Sequence, residues 1–113
     1  MEIQVQVKGL PGASRLRAFA ANKLSVALLR FSPAIQDVSM RMRDINGPDR
    51  GGADKLCRVV LRLEDNSVLV VEELGINMTE VIDRVTDRLQ HTVAKQLSRL
   101  VKVDRAGIRQ GSL

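Results

Sequence analysis

Apolar and polar residues alternate along three stretches of the chain, which is the pattern of a β-strand with one buried and one exposed face. The first stretch is the most regular, because Ile3, Val5 and Val7 are separated by polar residues. A fourth stretch is a short continuous apolar run, which also suits a strand. The four predicted strands are residues 2–8, 37–45, 55–64 and 68–71.

Two longer stretches repeat apolar residues at three- and four-residue spacing, which predicts amphipathic α-helices. The first helix is predicted from residue 15 to about residue 31, with Ser14 as its N-cap. The second is predicted from residue 77 to about residue 102, where Asn77 and Glu80 resemble a capping box. The predicted buried stripe of the second helix comprises Met78, Ile82, Val85, Leu89, Val93, Gln96 and Leu100.

The order β-α-β-β-β-α predicts an α+β fold, in which a four-stranded sheet carries both helices on one face. A helix joins the first two strands, which predicts a right-handed crossover, and two antiparallel hairpins follow. Residues 1–103 are expected to form one domain, because a chain of 113 residues buries one core and is too short for two. Residues 104–113 lack periodicity and are expected to form a flexible tail.

Composition and motifs exclude several classes of protein. No apolar stretch approaches the roughly 20 residues that cross a bilayer, and the polar start does not resemble a signal peptide. We therefore expect a cytoplasmic protein with no membrane partner. Cys57, the one cysteine, is expected in the core, and with a single histidine a Cys/His zinc site is excluded. The glycine-rich connection at residues 46–54 lacks the pattern G-x-x-x-x-G-K-[ST], so neither a nucleotide nor another cofactor is expected.

The charge balance favours a nucleic-acid partner. Lys and Arg number 18 against 13 Asp and Glu, which gives a net charge of +5 and a pI near 10.1. The aromatic residues are Phe19 and Phe31 alone, so a platform for stacking bases is not available. Contacts to the phosphate backbone are therefore expected rather than readout of a base sequence.

The cations of the second helix are sorted onto one side of it. On a helical wheel they fall within an arc of about 80°, while the acidic residues and Gln90 occupy a separate flank. A stripe of one sign is unfavourable through self-repulsion and indicates a polyanionic partner; the alternative interpretation is a solvated face that happens to be basic. The stripe comprises Arg84, Arg88, His91, Lys95, Arg99 and Lys102.

The first helix adds Lys23 and Arg30, which lie one above the other because they are seven residues apart. If the helices pack side by side, these two cations are expected to line one groove with those of the second helix, namely Arg88, His91, Lys95 and Arg99. A second cationic patch is predicted on the open face of the sheet, and either patch could be the working one. It comprises Arg41, Arg43, Arg58 and Arg62.

No constellation of residues indicates catalysis. His91 lies on the cationic stripe, and the pattern places no Ser or Cys nucleophile beside it. Acidic pairs such as Asp83 and Asp87 are expected on solvated surfaces. We therefore predict that the protein is not an enzyme and has no small-molecule substrate.

Particular residues in both helices follow the pattern of a known family. In the first helix these are Arg17, Phe19, Lys23, Leu24 and Phe31. In the second they are Met78, Ile82, Asp83, Arg88, His91 and Lys95. Together with the order of elements, they resemble the ribosome hibernation-promoting factor and ribosome-associated inhibitor family, the sigma-54 modulation proteins, over about residues 1 to 102.

The resemblance implies a factor that binds the small ribosomal subunit and its rRNA in the decoding channel and keeps idle ribosomes inactive. The RNA-facing positions of the family carry over to Lys23, Arg88, His91 and Lys95, with Arg84 and Arg99 in support. His91 stands where the family usually has Arg, so its contact would be weaker and pH-dependent. The C-terminal dimerisation domain of long members is missing from this sequence, so the resemblance is to a short form that would need another hibernation factor to pair ribosomes.

The competing hypothesis is a general module for structured RNA or for protein interaction. Such a protein would have the same fold but would act away from the ribosome, or as a homodimer through an edge of the sheet. The sequence does not predict the oligomeric state.

Overall fold

Four strands lie side by side in one sheet, in the same order as along the chain. They are β1 (Glu2–Lys8), β2 (Ile35–Asp44), β3 (Lys55–Leu63) and β4 (Val68–Gly75). Two long helices, α1 (Ala13–Leu28) and α2 (Met78–Gly111), and a 3-10 helix (Leu29–Ala34) complete the fold. The structure is a computed structural model that describes residues 1–46 and 52–111, with side chains described as far as residue 100.

The pairing of the strands confirms the predicted α+β topology. β1 and β2 are parallel and are joined through α1, whereas β2 with β3 and β3 with β4 are antiparallel. The predicted turn between β3 and β4 is also present. In it Asn66 has a φ of 71°, and the Asp65 carboxylate accepts hydrogen bonds from the backbone N–H and the hydroxyl of Ser67.

Both helices cover the same face of the sheet, as predicted, and one core lies between the two layers. Alternate residues of the central strands point into it, because successive side chains of a strand face opposite sides. Cys57 is fully buried there, and burial raises the pKa of its thiol to about 12, so its predicted core position is confirmed. The buried residues of the two central strands include Val38, Met40, Met42, Cys57, Val59, Leu61 and Leu63.

The predicted ends of the first helix were wrong in detail. Gly12 is the N-cap rather than Ser14, and it has a left-handed φ of 68° that glycine adopts without steric cost. Ser14 lies within the first turn, where its hydroxyl accepts a 3.4 Å hydrogen bond from Arg17. The α-helix ends at Leu28 and tightens into the 3-10 helix that contains Pro33, since proline has no N–H to donate.

β4 extends four residues beyond its predicted end, because alternation resumes after the apolar run. Glu72 and Leu74 follow on the open face of the sheet, and Glu73 points toward the helices. Asn77 then caps α2 as predicted. Its side-chain oxygen accepts hydrogen bonds from the backbone N–H and the hydroxyl of Thr79, at 3.0 and 2.6 Å.

α2 continues to Gly111, beyond the predicted end near residue 102. Its 34 residues span about 50 Å, whereas the ten residues of β2 span about 33 Å, so the sheet cannot cover the whole helix. The end of the buried stripe therefore did not mark the end of the helix, and a flexible tail at residues 104–113 stays a prediction.

Of the glycine-rich connection, residues 47–51 lie outside the described residues. Among the residues that are described, no helix is long and apolar enough to cross a membrane.

Candidate nucleic-acid interface

The side chains of α2 that the structure describes, as far as residue 100, form three surfaces around the helix axis. One is the buried face, and a second is an acidic flank that borders a groove against α1. The third carries the cations and lies over β4, because Arg84 and Arg88 both donate hydrogen bonds to backbone carbonyls of that strand. Up to residue 100 the structure therefore separates the cations of α2 from its acids, as the helical wheel predicted, except that Arg84 also lines the groove. Lys102 of the predicted stripe lies outside the described side chains. We call the third surface the cationic flank of α2, comprising Arg84, Arg88, His91, Lys95 and Arg99.

Arg84 and Arg88 are held against the exposed edge of the sheet. Nη2 of Arg84 donates to the Leu74 carbonyl at 3.0 Å. Nη1 of Arg88 lies 3.0 Å from the Glu72 carbonyl oxygen and 3.1 Å from Oε1 of Glu73. β4 is an edge strand, so these bonds satisfy carbonyl groups that no neighbouring strand pairs. Each guanidinium has five N–H donors, and the ones that remain can bind an external acceptor.

The other half of the cationic flank is more exposed. Nδ1 of His91 lies 2.8 Å from the backbone carbonyl oxygen of Asp87 and 3.9 Å from its carboxylate, and the His91 side chain is 79% exposed. Lys95 and Arg99 are exposed, and within the described part of the chain neither has an ion pair or a side-chain hydrogen bond. With respect to the described residues, these two cations can therefore bind an anion without first giving up a partner.

Lys23 and Arg30 lie apart from that flank. The Lys23 ammonium is 3.1 Å from Oδ1 of Asp83, across the space between the helices, and 5.6 Å from the centroid of the Phe19 ring. Arg30 lies in the 3-10 helix rather than in α1, and its guanidinium is stacked 4.5 Å from the centroid of the Phe31 ring. Such a cation–π contact holds the guanidinium in one orientation and leaves its N–H groups exposed.

The single cationic groove predicted between the two helices does not form. On the α1 side the groove is lined by Lys23, Val26 and Ala27, and on the α2 side Arg84 is the one cation among its lining residues. α1 packs against the acidic flank of α2, so the remaining cations of α2 point away from it. The α2 side of the groove is lined by Asp83, Arg84, Thr86, Asp87 and Gln90.

The open face of the sheet carries the second predicted cationic patch. Lys8 joins this patch, and Arg62 is set apart from it by a bond to a carboxylate. Lys8 stands beside Arg43 in the parallel pairing of β1 and β2, and Arg41 stands opposite Arg58 in the antiparallel pairing of β2 and β3. Arg62 lies on the same face but is hydrogen-bonded to the Asp37 carboxylate through two nitrogens. We call the group that has no such partner among the described residues the basic corner of the sheet, comprising Lys8, Arg41, Arg43 and Arg58.

Lys8 was missed because its role depends on the register of two strands that are far apart in sequence. The alternation of β1 does place Lys8 on the open face with Gln4 and Gln6. Only the parallel pairing brings it next to Arg43, thirty-five positions later. The chemistry that these surfaces share is the binding of phosphate groups, for which lysine offers a point charge and arginine a planar fork.

The fold and these surfaces define a small α+β protein with cations exposed on both of its layers. The family model for sigma 54 modulation protein / S30EA ribosomal protein matches residues 3–101. The chain therefore belongs to this family of ribosome-associated modulation factors, which confirms the resemblance found in the sequence. No curated protein matches the sequence significantly.

Two solved structures share the fold. A ribosomal subunit interface protein from Coxiella burnetii superposes with a TM-score of 0.67 at 17% identity, covering 87% of this chain and 99% of that one. The N-terminal domain of Protein Y from Thermus thermophilus gives a TM-score of 0.67 at 19% identity, covering 84% of this chain and 98% of that one. At these identities the similarity establishes the architecture alone.

Proposed function

We propose that this protein binds the small ribosomal subunit in the decoding channel, through rRNA, and keeps idle ribosomes inactive. The observation that carries the proposal is the separation of charge around α2, where cations gather on one flank and carboxylates on another. Membership of a ribosome-associated family directs this polyanion-binding surface to rRNA. The residues proposed to contact RNA are Lys23, Arg30, Arg84, Arg88, His91, Lys95 and Arg99.

The cationic flank supplies two kinds of phosphate contact. Arg84 and Arg88 are pre-positioned by their bonds to β4 carbonyls, which reduces the conformational entropy lost on binding. Lys95 and Arg99 supply exposed charge further along the helix, with no ion pair to any side chain up to residue 100. The exposed ion pair between Lys23 and Asp83 is worth at most about 1 kcal/mol, so it does not prevent Lys23 from contacting RNA.

Occupation of space is sufficient for the proposed activity, so no catalytic step is required. A folded domain seated where messenger RNA and transfer RNA would lie excludes both, and its phosphate contacts set its position without reading sequence. Such a factor works in the cytoplasm, where ribosomes are. Cooperation with another hibernation factor to pair ribosomes stays a prediction from the family resemblance.

Sedimentation with purified small subunits tests the proposal. The double variant Arg88→Glu/Lys95→Glu should lose binding, and the wild-type complex should weaken by about three orders of magnitude or more between 50 and 200 mM salt if about six cations contact phosphates. The matched control is Arg15→Glu/Arg17→Glu, which makes the same change of charge near the N-terminus of α1, outside the proposed interface. Circular dichroism should be unchanged in both. Binding that survives in the first variant, or is lost equally in the control, would contradict the proposal.

Competition separates the decoding channel from structured RNA in general. Small subunits loaded with messenger RNA and initiator transfer RNA should bind the protein much more weakly than empty subunits. A general module for structured RNA would bind loaded and empty subunits equally, and would bind unrelated folded RNAs with similar affinity.

A further inference from the structure

We propose that the basic corner of the open sheet face is a second surface for an RNA backbone, so that the domain is held between RNA segments on its two layers. This inference rests on the proposed function and extends it to residues outside the helices. The basic corner comprises Lys8, Arg41, Arg43 and Arg58.

The arrangement of the corner is unfavourable for the isolated fold. Arg41 and Arg58 stand directly opposite each other on neighbouring strands, and Arg43 stands beside Lys8 on the other side of β2. Like charges in such positions destabilise a sheet. All four side chains are exposed, and among the described residues none of them has an ion pair or side-chain hydrogen bond. Glu72 stands opposite Arg58 and is the one carboxylate among the residues that line the corner, so an external anion would supply countercharge for the other cations.

The other end of the same face shows how the protein neutralises a cation that it does not present to a partner. Arg62 is bonded to Asp37 through Nε and Nη2, and Glu2 lies beside Asp37 in the register of β1 and β2. Charge is therefore largely separated along β1 and β2, with Lys8, Arg41 and Arg43 toward one end and the carboxylates of Glu2 and Asp37 at the other. On β4, Glu72 is the exception, because it stands opposite Arg58. A solvated face without a partner would gain from mixing the two signs, as a few tenths of a kcal/mol per favourable cross-strand pair are available.

The chemistry of the corner fits a phosphate backbone rather than bases. Three of its four cations are arginines, whose planar forks match phosphate oxygens. The floor between them is aliphatic, from Leu56 and Val60, and the lining contains no aromatic ring for base stacking. The expected ligand is therefore an RNA strand or helix edge contacted through its phosphates, without preference for sequence.

The position of β4 favours RNA over an acidic protein as the occupant. Arg88 of the cationic flank binds the backbone carbonyl of Glu72, and Arg58 of the basic corner stands opposite Glu72 on the open face. The two cationic surfaces thus approach one edge strand from the two layers of the fold. One folded RNA that meets the cationic flank has further phosphates within reach of the corner, whereas an acidic protein would have to be a separate partner.

The experiment compares three variants in binding to small subunits and to the isolated small-subunit rRNA, each over a series of salt concentrations. The sheet variant is Arg41→Gln/Arg43→Gln/Arg58→Gln, and the helix variant is Arg88→Gln/Lys95→Gln/Arg99→Gln. The control is Arg62→Gln. It removes a cation from the same face of the sheet, but one whose charge Asp37 already neutralises. Thermal unfolding should show the sheet variant at least as stable as the wild type, because a repulsive pair has been removed.

The sheet variant should reduce the magnitude of the slope of log K against log salt by about 2 to 3, for both ligands. It should also weaken binding to both ligands about 100-fold at 0.1 M salt. The control should change neither the slope nor the affinity. If the helix variant loses binding but the sheet variant does not, the proposed function stands and the second surface is refuted. If the sheet variant weakens binding to the subunit but not to its isolated RNA, the corner meets a ribosomal protein, which overturns the inference. If neither variant weakens binding, both proposals fail.

Discussion

If Arg88 contacts RNA as proposed, Glu73 limits how strongly it can bind, and replacing Glu73 tests whether Arg88 belongs to the interface. The Glu73 carboxylate lies 3.1 Å from Nη1 of Arg88, and its side chain is only 22% exposed, so it competes with any phosphate that approaches this guanidinium. Glu73→Gln removes the competing charge and keeps an oxygen that can accept from Nη1. Because the bond from Arg88 to the Glu72 carbonyl remains, the guanidinium should stay in place.

The size of the effect follows from the exposure of the pair. The Arg88 side chain is 58% exposed, and ion pairs with that access to solvent are worth about 0.2–1 kcal/mol. If RNA binding must break or weaken the pair, its removal should raise affinity up to about fivefold at low salt. The slope of log K against log salt should become steeper by up to about 0.9, since one more cation is free to displace counterions. Stability should fall by at most about 1 kcal/mol.

Filter binding to small subunits over a salt series measures both quantities, and thermal unfolding measures the stability. Glu2→Gln is the matched control, because it makes the same change of charge on β1, at the opposite edge of the sheet. An equal gain in the control would mean that net charge alone matters. An unchanged or lower affinity of the Glu73→Gln variant would refute the assignment of Arg88 to the interface. The effect must also depend on Arg88, so a double-mutant cycle of Glu73→Gln and Arg88→Gln must show coupling. A gain in affinity that persists when Arg88→Gln is also present would refute the assignment as well.

Three further predictions concern the structural elements that position the interface. Gly75→Ala should destabilise the protein by about 1–3 kcal/mol in denaturant unfolding, because the new Cβ would lie 2.6 Å from Val81 Cγ2 and from Arg84 Nη2; a loss that Val81→Ala does not relieve would contradict this cause. Asn77→Ala should lower the free energy of unfolding by about 0.5–2 kcal/mol, because the N-cap hydrogen bond is lost. Asn77→Asp keeps the acceptor oxygen and should lower it less. Equal losses of stability in the two variants would show that the side-chain oxygen is not the cap. The Cys57 thiol has a pKa raised from 9.0 to about 12 by burial, so the unfolded chain ionises first and stability should fall as pH rises above about 9, by up to roughly 1.4 kcal/mol per unit. Cys57→Ala should have a correspondingly flatter stability profile in urea unfolding at pH 8 to 10, and an unchanged slope would rule out the thiol as its source.

Local pattern was sufficient for most of the fold. Strict alternation defined β1 to the residue, and the inward positions of β2 and β3 followed from the same period of two. The errors came where a boundary depends on backbone geometry. Gly12 rather than Ser14 caps α1, because the chain leaves the preceding turn in a left-handed conformation that composition does not reveal. The predicted β4 ended too early because two glutamates follow its apolar run. One of them, Glu73, lies on the inner side of the sheet, where Arg88 pairs with it.

In the candidate interface, too, some features follow from local pattern and others from tertiary contacts. The sequence by itself determined that α2 sorts its cations from its acids, because that separation is a property of the helical period alone. Only the tertiary structure decided which flank faces α1, and so excluded a shared cationic groove. It also decided that Arg84 and Arg88 cover the edge of β4, and that Lys8 joins arginines from β2 and β3. The physical reason is that helix periodicity acts over four residues, whereas helix packing and strand register depend on contacts between residues tens of positions apart.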